Sequence, residues 1–308
     1  MERPVLFLYT SYRTGGTAFA SAFNTDPTSM LFIDPLNAAL SDLESARAAS
    51  SNDWHSNHPA NLKYFENYLP LFEQRAMDSF PNLSEFRYRN SSAEFKNQLV
   101  QYLGDLSNAA LIQGKLPVFK LEQLKGHVNL LRKNFPEALH IGLIRNPNDQ
   151  FRSWLEQSAL GNNFFFENAL SLINQDTDFF KPSPGLSKAN PKDVFETFYS
   201  RLVTLRSELD FTHNLFEESS GDLLGKVTSK YYKDKFTFLD KALNTADQQI
   251  SFEKKFNRMM DNSLSLIKER DGLIKERDGL IKERDGLLNS TIWKFTKPLR
   301  GLINFVKR

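Results

Sequence analysis

Three short apolar runs stand out along the chain, each four to seven residues long and each followed by polar or small residues. Pro4-Val-Leu-Phe-Leu-Tyr9 comes first, Leu116-Pro-Val-Phe-Lys120 second and Ala138-Leu-His-Ile-Gly-Leu-Ile144 third. Runs of this length without alternation predict strands buried on both faces, as in a parallel sheet. Between and after them the pattern turns helical. An Ala/Phe-rich stretch runs to about Phe23, and residues 37 to 110 read mostly as helix. Breaks fall near Ser50–Asn52, Pro59, Pro81 and Asn90–Ser92. A helix is expected from about Gly126 to Asn134, and helices again from Pro147 to about Leu209, interrupted at Lys181-Pro-Ser-Pro-Gly185. Strands separated by helices predict an α/β domain with helices on both faces of a parallel sheet.

From about Asp247 the pattern changes. Leu266-Ile-Lys-Glu-Arg-Asp-Gly272 recurs as Leu273–Gly279 and again as Leu280–Gly286, a seven-residue period. A heptad predicts a helix that pairs with another helix. However, the Leu-Ile pair is adjacent rather than spaced three and four apart, and a glycine in each repeat costs about 1 kcal/mol relative to alanine. A coiled coil and a charged, solvated helical spacer both fit. The division is therefore 1–246 for the α/β domain, 247–288 for the heptad helix and 289–308 for a tail.

Composition changes the picture little until charge is located. The 308 residues carry a net charge of +2, no cysteine, 40% hydrophobic and 25% charged residues. Such a chain can build a sizeable core, and its charge balance argues against coating nucleic acid. Lacking cysteine, it has no thiolate zinc site, iron–sulfur cluster, disulfide or cysteine nucleophile. No apolar run approaches the roughly 20 residues of a spanning helix, and the start does not read as a signal peptide, so a cytosolic location is expected. The +2 is a cancellation: residues 289 to 308 hold five cations and no acid, leaving the other 288 residues at −3. Those five cations interleave with eight apolar residues, including Trp293 and Phe305. A segment of this kind suits the inner face of a membrane, and equally a helix packed on the domain itself or a partner.

Two segments carry candidate chemistry. After the first strand comes Ser11-Tyr-Arg-Thr-Gly-Gly-Thr17. There the glycines let backbone N–H groups approach an anion, a helix N-terminus adds positive potential, Arg13 supplies a fork of donors, and Thr14 and Thr17 add hydroxyls. No Gly-Lys-Ser/Thr follows, so this is not the loop of a nucleotide kinase. After the third strand comes Arg145-Asn-Pro-Asn-Asp149, with Ser153 eight residues beyond Arg145. Asn146 fits as the N-cap of a helix, with Pro147 at its first position. Ligands bind at the carboxyl ends of parallel strands, where both segments fall. The histidines add little. His55 and His58 lie in a polar break that reads as solvated loop, and His127, His140 and His213 are isolated.

Arg13-Thr-Gly-Gly-Thr17 together with Arg145-Asn-Pro-Asn-Asp149 and Ser153 resembles the two hallmark motifs of the sulfotransferase superfamily, in order and in separation, over residues 3 to 240. The resemblance implies a three-layer α/β sandwich with a P-loop-like phosphosulfate-binding loop, here extended by a C-terminal helical or coiled-coil segment. It implies 3′-phosphoadenosine-5′-phosphosulfate (PAPS) as donor and no metal. Arg13, Thr14, Gly15, Gly16 and Thr17 would hold the 5′-phosphosulfate, and Arg145 and Ser153 the 3′-phosphate. In relatives the second strand ends on a catalytic histidine or glutamate. The matching stretch is Val118-Phe-Lys-Leu-Glu122, which makes Glu122 the candidate base and Lys120 a donor-side cation. A late Arg-Lys-Gly-type loop of the family has no recognisable counterpart here. The tail resembles the ending of bacterial cell-envelope glycosyltransferases. It implies a saccharide or lipid-linked glycan acceptor and membrane-surface contact; the heptads suggest homo-oligomers, and the charge balance suggests no nucleic acid. The rival expectation is a non-catalytic nucleotide-binding scaffold in a polysaccharide-assembly complex.

Overall fold

Leu6–Tyr9 forms the central strand β1, with all four residues buried. In the computed structural model, which describes residues 5–24, 26–51, 64–214, 276–277, 279–283 and 286, it lies between two parallel neighbours. In chain order the elements are β1, α1 (Gly16–Asn24), β2 (Ser29–Ile33), α2 (Leu43–Ser51), α3 (Leu69–Glu73) and α4 (Ala93–Ile112). They continue with β3 (Leu116–Leu121), α5 (Val128–Asn134), β4 (Leu139–Ile144), α6 (Pro147–Ala159), α7 (Phe164–Gln175), α8 (Thr177–Phe180), α9 (Pro191–Thr204) and β5 (Phe211–Asn214). Short 3₁₀ turns at Leu124–His127 and Arg206–Glu208 precede α5 and β5. The sheet order is β2-β3-β1-β4-β5, and every pairing is parallel.

The three expected strands are present, and two more, β2 and β5, form the edges. The helix expected from about Gly126 to Asn134 is present as α5, entered through the 3₁₀ turn Leu124–His127. Residues 37 to 110 are helical only in pieces. His55 and His58 lie outside the described residues.

Side chains alternate across the sheet. Phe7, Tyr9, Phe32, Phe119 and Leu121 join the main core with residues of α4, α5 and α9. Within it Phe119 stacks between Phe7 and Phe32, with ring centroids 5.3 and 5.0 Å away. Leu6, Leu8, Leu31 and Val118, buried on the other face, lie where α1 packs along β2 and β3. Helices thus cover both faces, and the carboxyl ends of β1 to β4 open on one edge. The connection after β1 runs toward β2, whereas those after β3 and β4 run the other way. The gap between β1 and β4 is therefore a topological switch point, where α/β sheets bind ligands.

The chain divides into two units, Met1–Ser251 and Phe252–Arg308. In the second, the described residues of the heptads have helical backbone, with Leu280 and Ile281 exposed. The tail 289–308 and most of 247–288 lie outside the described residues. No helix among the described residues is long and apolar enough to cross a membrane.

Candidate functional site

The chain leaves β1 through Thr10, whose N–H still donates to Leu121 of β3 at 2.9 Å, and then turns sharply. Arg13 has φ 64° and Gly15 φ 83°. Left-handed residues in such a turn aim successive N–H groups into one concavity suited to anions. Helix α1 begins at Gly16, where its first N–H groups have no partner within the helix. A Cβ on Gly16 would stand 2.5 Å from Thr10 Cγ2, so only glycine lets the helix start this close to the strand. Thr17 Oγ1 lies 3.3 Å from the Tyr64 hydroxyl. Thr14 shapes the loop: its hydroxyl donates to Ser11 O at 2.8 Å and accepts from Ser11 N at 3.2 Å. Both this hydroxyl and the Thr14 N–H are engaged inside the turn.

Arg145 follows β4. Asn146 caps α6 by accepting from Asn148 N at 3.0 Å, with Pro147 in the first turn. Spacings of three and four residues put Gln150, Ser153 and Trp154 on one buried face of α6. That face grips the loop after β1. Gln150 Nε2 donates to Tyr12 O at 2.6 Å and Trp154 Nε1 to the same oxygen at 3.3 Å. Arg13 Nε donates to Ser153 Oγ at 2.9 Å, and Arg145 Nη1 donates to the carbonyl of Arg13 at 3.1 Å. The Arg13 guanidinium also sits over the Phe165 ring, 5.9 Å from its centroid. The two sequence motifs, over 130 residues apart, are thus one hydrogen-bonded unit.

On the other side of β1, Lys120 of β3 is buried, with 1% of its side chain exposed. Its ammonium donates to both oxygens of Asp34 at 3.2 Å and to Glu122 Oε1 at 2.6 Å. Asp34 directly follows β2 with φ 45°, its N–H donating to Lys120 O at 3.0 Å. Burial, and next the Glu122 charge, push the Asp34 carboxyl up to about 7 against the opposing pull of Lys120. Burial works against the Lys120 ammonium, but the two carboxylates overcome it and hold the lysine protonated. One ammonium cannot neutralise two carboxylates, so Asp34, the more buried by its surroundings, is the one pushed toward its protonated form. Lys120 and Glu122 are brought together as expected of residues two apart, with Lys120 tied to carboxylates.

No family model matches the chain, and no curated protein matches it. Among solved structures it is similar to the crystal structure of sulfotransferase STF9 from Mycobacterium avium. The TM-score is 0.40 at 15% identity, covering 82% of this chain and 68% of that one.

Two charged residues at this edge escape the sequence reading. Asp34 does so because β2 was not anticipated. Lys125, in the 3₁₀ turn after β3, is buried and donates to Ser11 Oγ at 2.6 Å. Its spacing from Lys120 carries no signal, since the turn places it.

Proposed function

We propose that this protein is a sulfotransferase, moving a sulfuryl group from PAPS to a hydroxyl of a saccharide, such as a cell-surface glycan precursor. The reading is supported above all by the 2.9 Å bond from Arg13 to Ser153, which joins the two anion-binding motifs across the switch point of the sheet. The residues fit such a donor. The left-handed Arg13 and Gly15, the free first turn of α1 and the close approach at Gly16 form a concavity for a tetrahedral anion. Arg13 and the N–H groups of Gly16 and Thr17 would hold the phosphosulfate, and Arg145 with the Ser153 hydroxyl the 3′-phosphate. When bound, the donor supplies an activated sulfuryl group.

The chain's own residues then have three tasks. Arg13 and the helix N-terminus stabilise charge that builds on the leaving phosphate oxygen. Asp34, with its carboxyl near 7, accepts the proton of the acceptor hydroxyl, since a base is most effective when its pKa matches working pH. Lys120 fixes Asp34 and Glu122 side by side at the end of β2 and β3. In this reading Asp34 takes the role expected of Glu122, whose charge adds to burial in raising the Asp34 carboxyl. The heptads would pair copies, and the basic tail would hold the enzyme at a membrane carrying the acceptor. Liposome flotation of the full chain beside residues 1–288 tests the tail.

Calorimetry with 3′,5′-adenosine bisphosphate and ATP tests the donor. Tighter binding of the bisphosphate is expected, and preference for ATP, or binding of neither, ends the reading. Donor binding with no transfer of labelled sulfate to any saccharide would leave the scaffold instead.

A further inference from the structure

Beside the phosphate loop a cavity lies between the Leu124–His127 turn, the end of β4 and the end of α9, with Ser11, Lys125, Arg145, Tyr199 and Arg206 in its wall. Its described lining holds three cations and no carboxylate. Lys125 is 6% exposed. Its ammonium donates to the Ser11 hydroxyl and pairs with no carboxylate among the described residues. Arg206 is held by neutral groups: Nη2 donates to the Tyr199 hydroxyl at 2.7 Å, and the guanidinium sits 5.8 Å from that ring's centroid.

The nearby acids face other partners. Glu208 pairs with Arg89 at 2.7 Å, Asp210 with Arg132 at 2.8 Å, and Glu122 with Lys120. Burying an ammonium without a counter-charge disfavours its charged form. Burial, and then the like charge of Arg206, accordingly bring Lys125 down to about 7. An ammonium has three donors and a guanidinium five, so most of this donor set is available to a ligand.

We propose that Lys125 and Arg206, with Arg145 in the same wall, form a subsite for a tetrahedral dianion, a phosphate or sulfate group. The anion has two sources, an ester phosphate of the donor nucleotide or free inorganic phosphate. Only the first rests on the sulfuryl-transfer reading; the subsite stands on the cavity and its charges.

The test uses the full chain and two variants, Lys125→Met and Arg206→Gln, the second at a half-buried position where folding is tolerant. Calorimetry measures inorganic phosphate against chloride at matched ionic strength, and 3′,5′-adenosine bisphosphate against adenosine 5′-monophosphate. Inorganic phosphate is expected to bind the natural chain and to lose at least tenfold in affinity in both variants. If the anion comes from the donor, the bisphosphate outbinds the monophosphate in the natural chain and loses that advantage in both variants. The subsite stands if either phosphate-bearing probe loses tenfold in both variants, and is overturned otherwise. Phosphate binding that depends on Lys125 and Arg206, with neither nucleotide bound, keeps the subsite and removes the transfer reading.

Discussion

The two sides of the sheet's open edge handle charge in opposite ways. At the ends of β2 and β3, Lys120 sits between Asp34 and Glu122, whose side chains are 20% and 23% exposed. At the ends of β1 and β4, Lys125 faces a neutral group, the Ser11 hydroxyl, while Arg13 bonds to the Ser153 hydroxyl and Arg145 to a backbone carbonyl. Neutral partners orient a cation without cancelling its charge. Under the proposed sulfotransferase reading, the acidic side exchanges a proton and the cationic side holds an anion.

The largest expected effect breaks the acidic side. Asp34→Asn keeps size and shape but removes the base, and should lower kcat about 10²- to 10⁴-fold, with bisphosphate affinity unchanged by calorimetry. Glu122→Gln should cost less, and the reverse ranking would move the base to Glu122. The same assignment predicts kcat rising with pH through about 7, as the raised Asp34 carboxyl loses its proton. That limb should vanish from the pH–rate profile of Asp34→Asn.

Breaking the cationic side should show the opposite pattern. Arg145→Gln should weaken bisphosphate binding by about 10- to 100-fold, the value of a hydrogen bond to a charged group, while kcat at saturating donor changes less. A variant that lowers kcat alone would erase the contrast. Gly16→Ala should destabilise the fold by about 1–3 kcal/mol, the usual cost of forcing a methyl into a packed contact, measured by urea unfolding. Smallest is Ser153→Ala, about 0.5–1.5 kcal/mol in stability or donor affinity, because it removes one hydrogen bond and leaves both arginines.

Much of this was legible in the sequence where pattern and spacing are local. β1, β3 and β4 read as strands because residues buried on both faces are apolar without alternation. Arg145 and Ser153 fall two helical turns apart, which is why one face of α6 reaches the loop after β1. The edges were not legible. Ser29-Met-Leu-Phe-Ile33 is too short a run for periodicity to tell strand from helix, and with it went Asp34. Phe211-Thr-His-Asn214 is strand by virtue of pairing with β4, an interaction no local pattern carries. Lys125 precedes the helix expected from Gly126, and only the tertiary approach of its turn to Ser11 buries it. Thr14 shows the converse: its hydroxyl looks available in the sequence, but the folded turn engages it with Ser11.

The strand order also has a consequence in time. β1 leaves the ribosome well before the strands that flank it, β3 and β4, which begin at Leu116 and Leu139. Pairings so distant in sequence close large loops and form slowly. Until Leu139–Ile144 and α6 have emerged, the loop after β1 lacks the Arg145 and Ser153 contacts that shape it. The shape of the loop after β1 is therefore a late product of synthesis, and a nascent chain that ends before α6 has its first motif without the contacts that hold it.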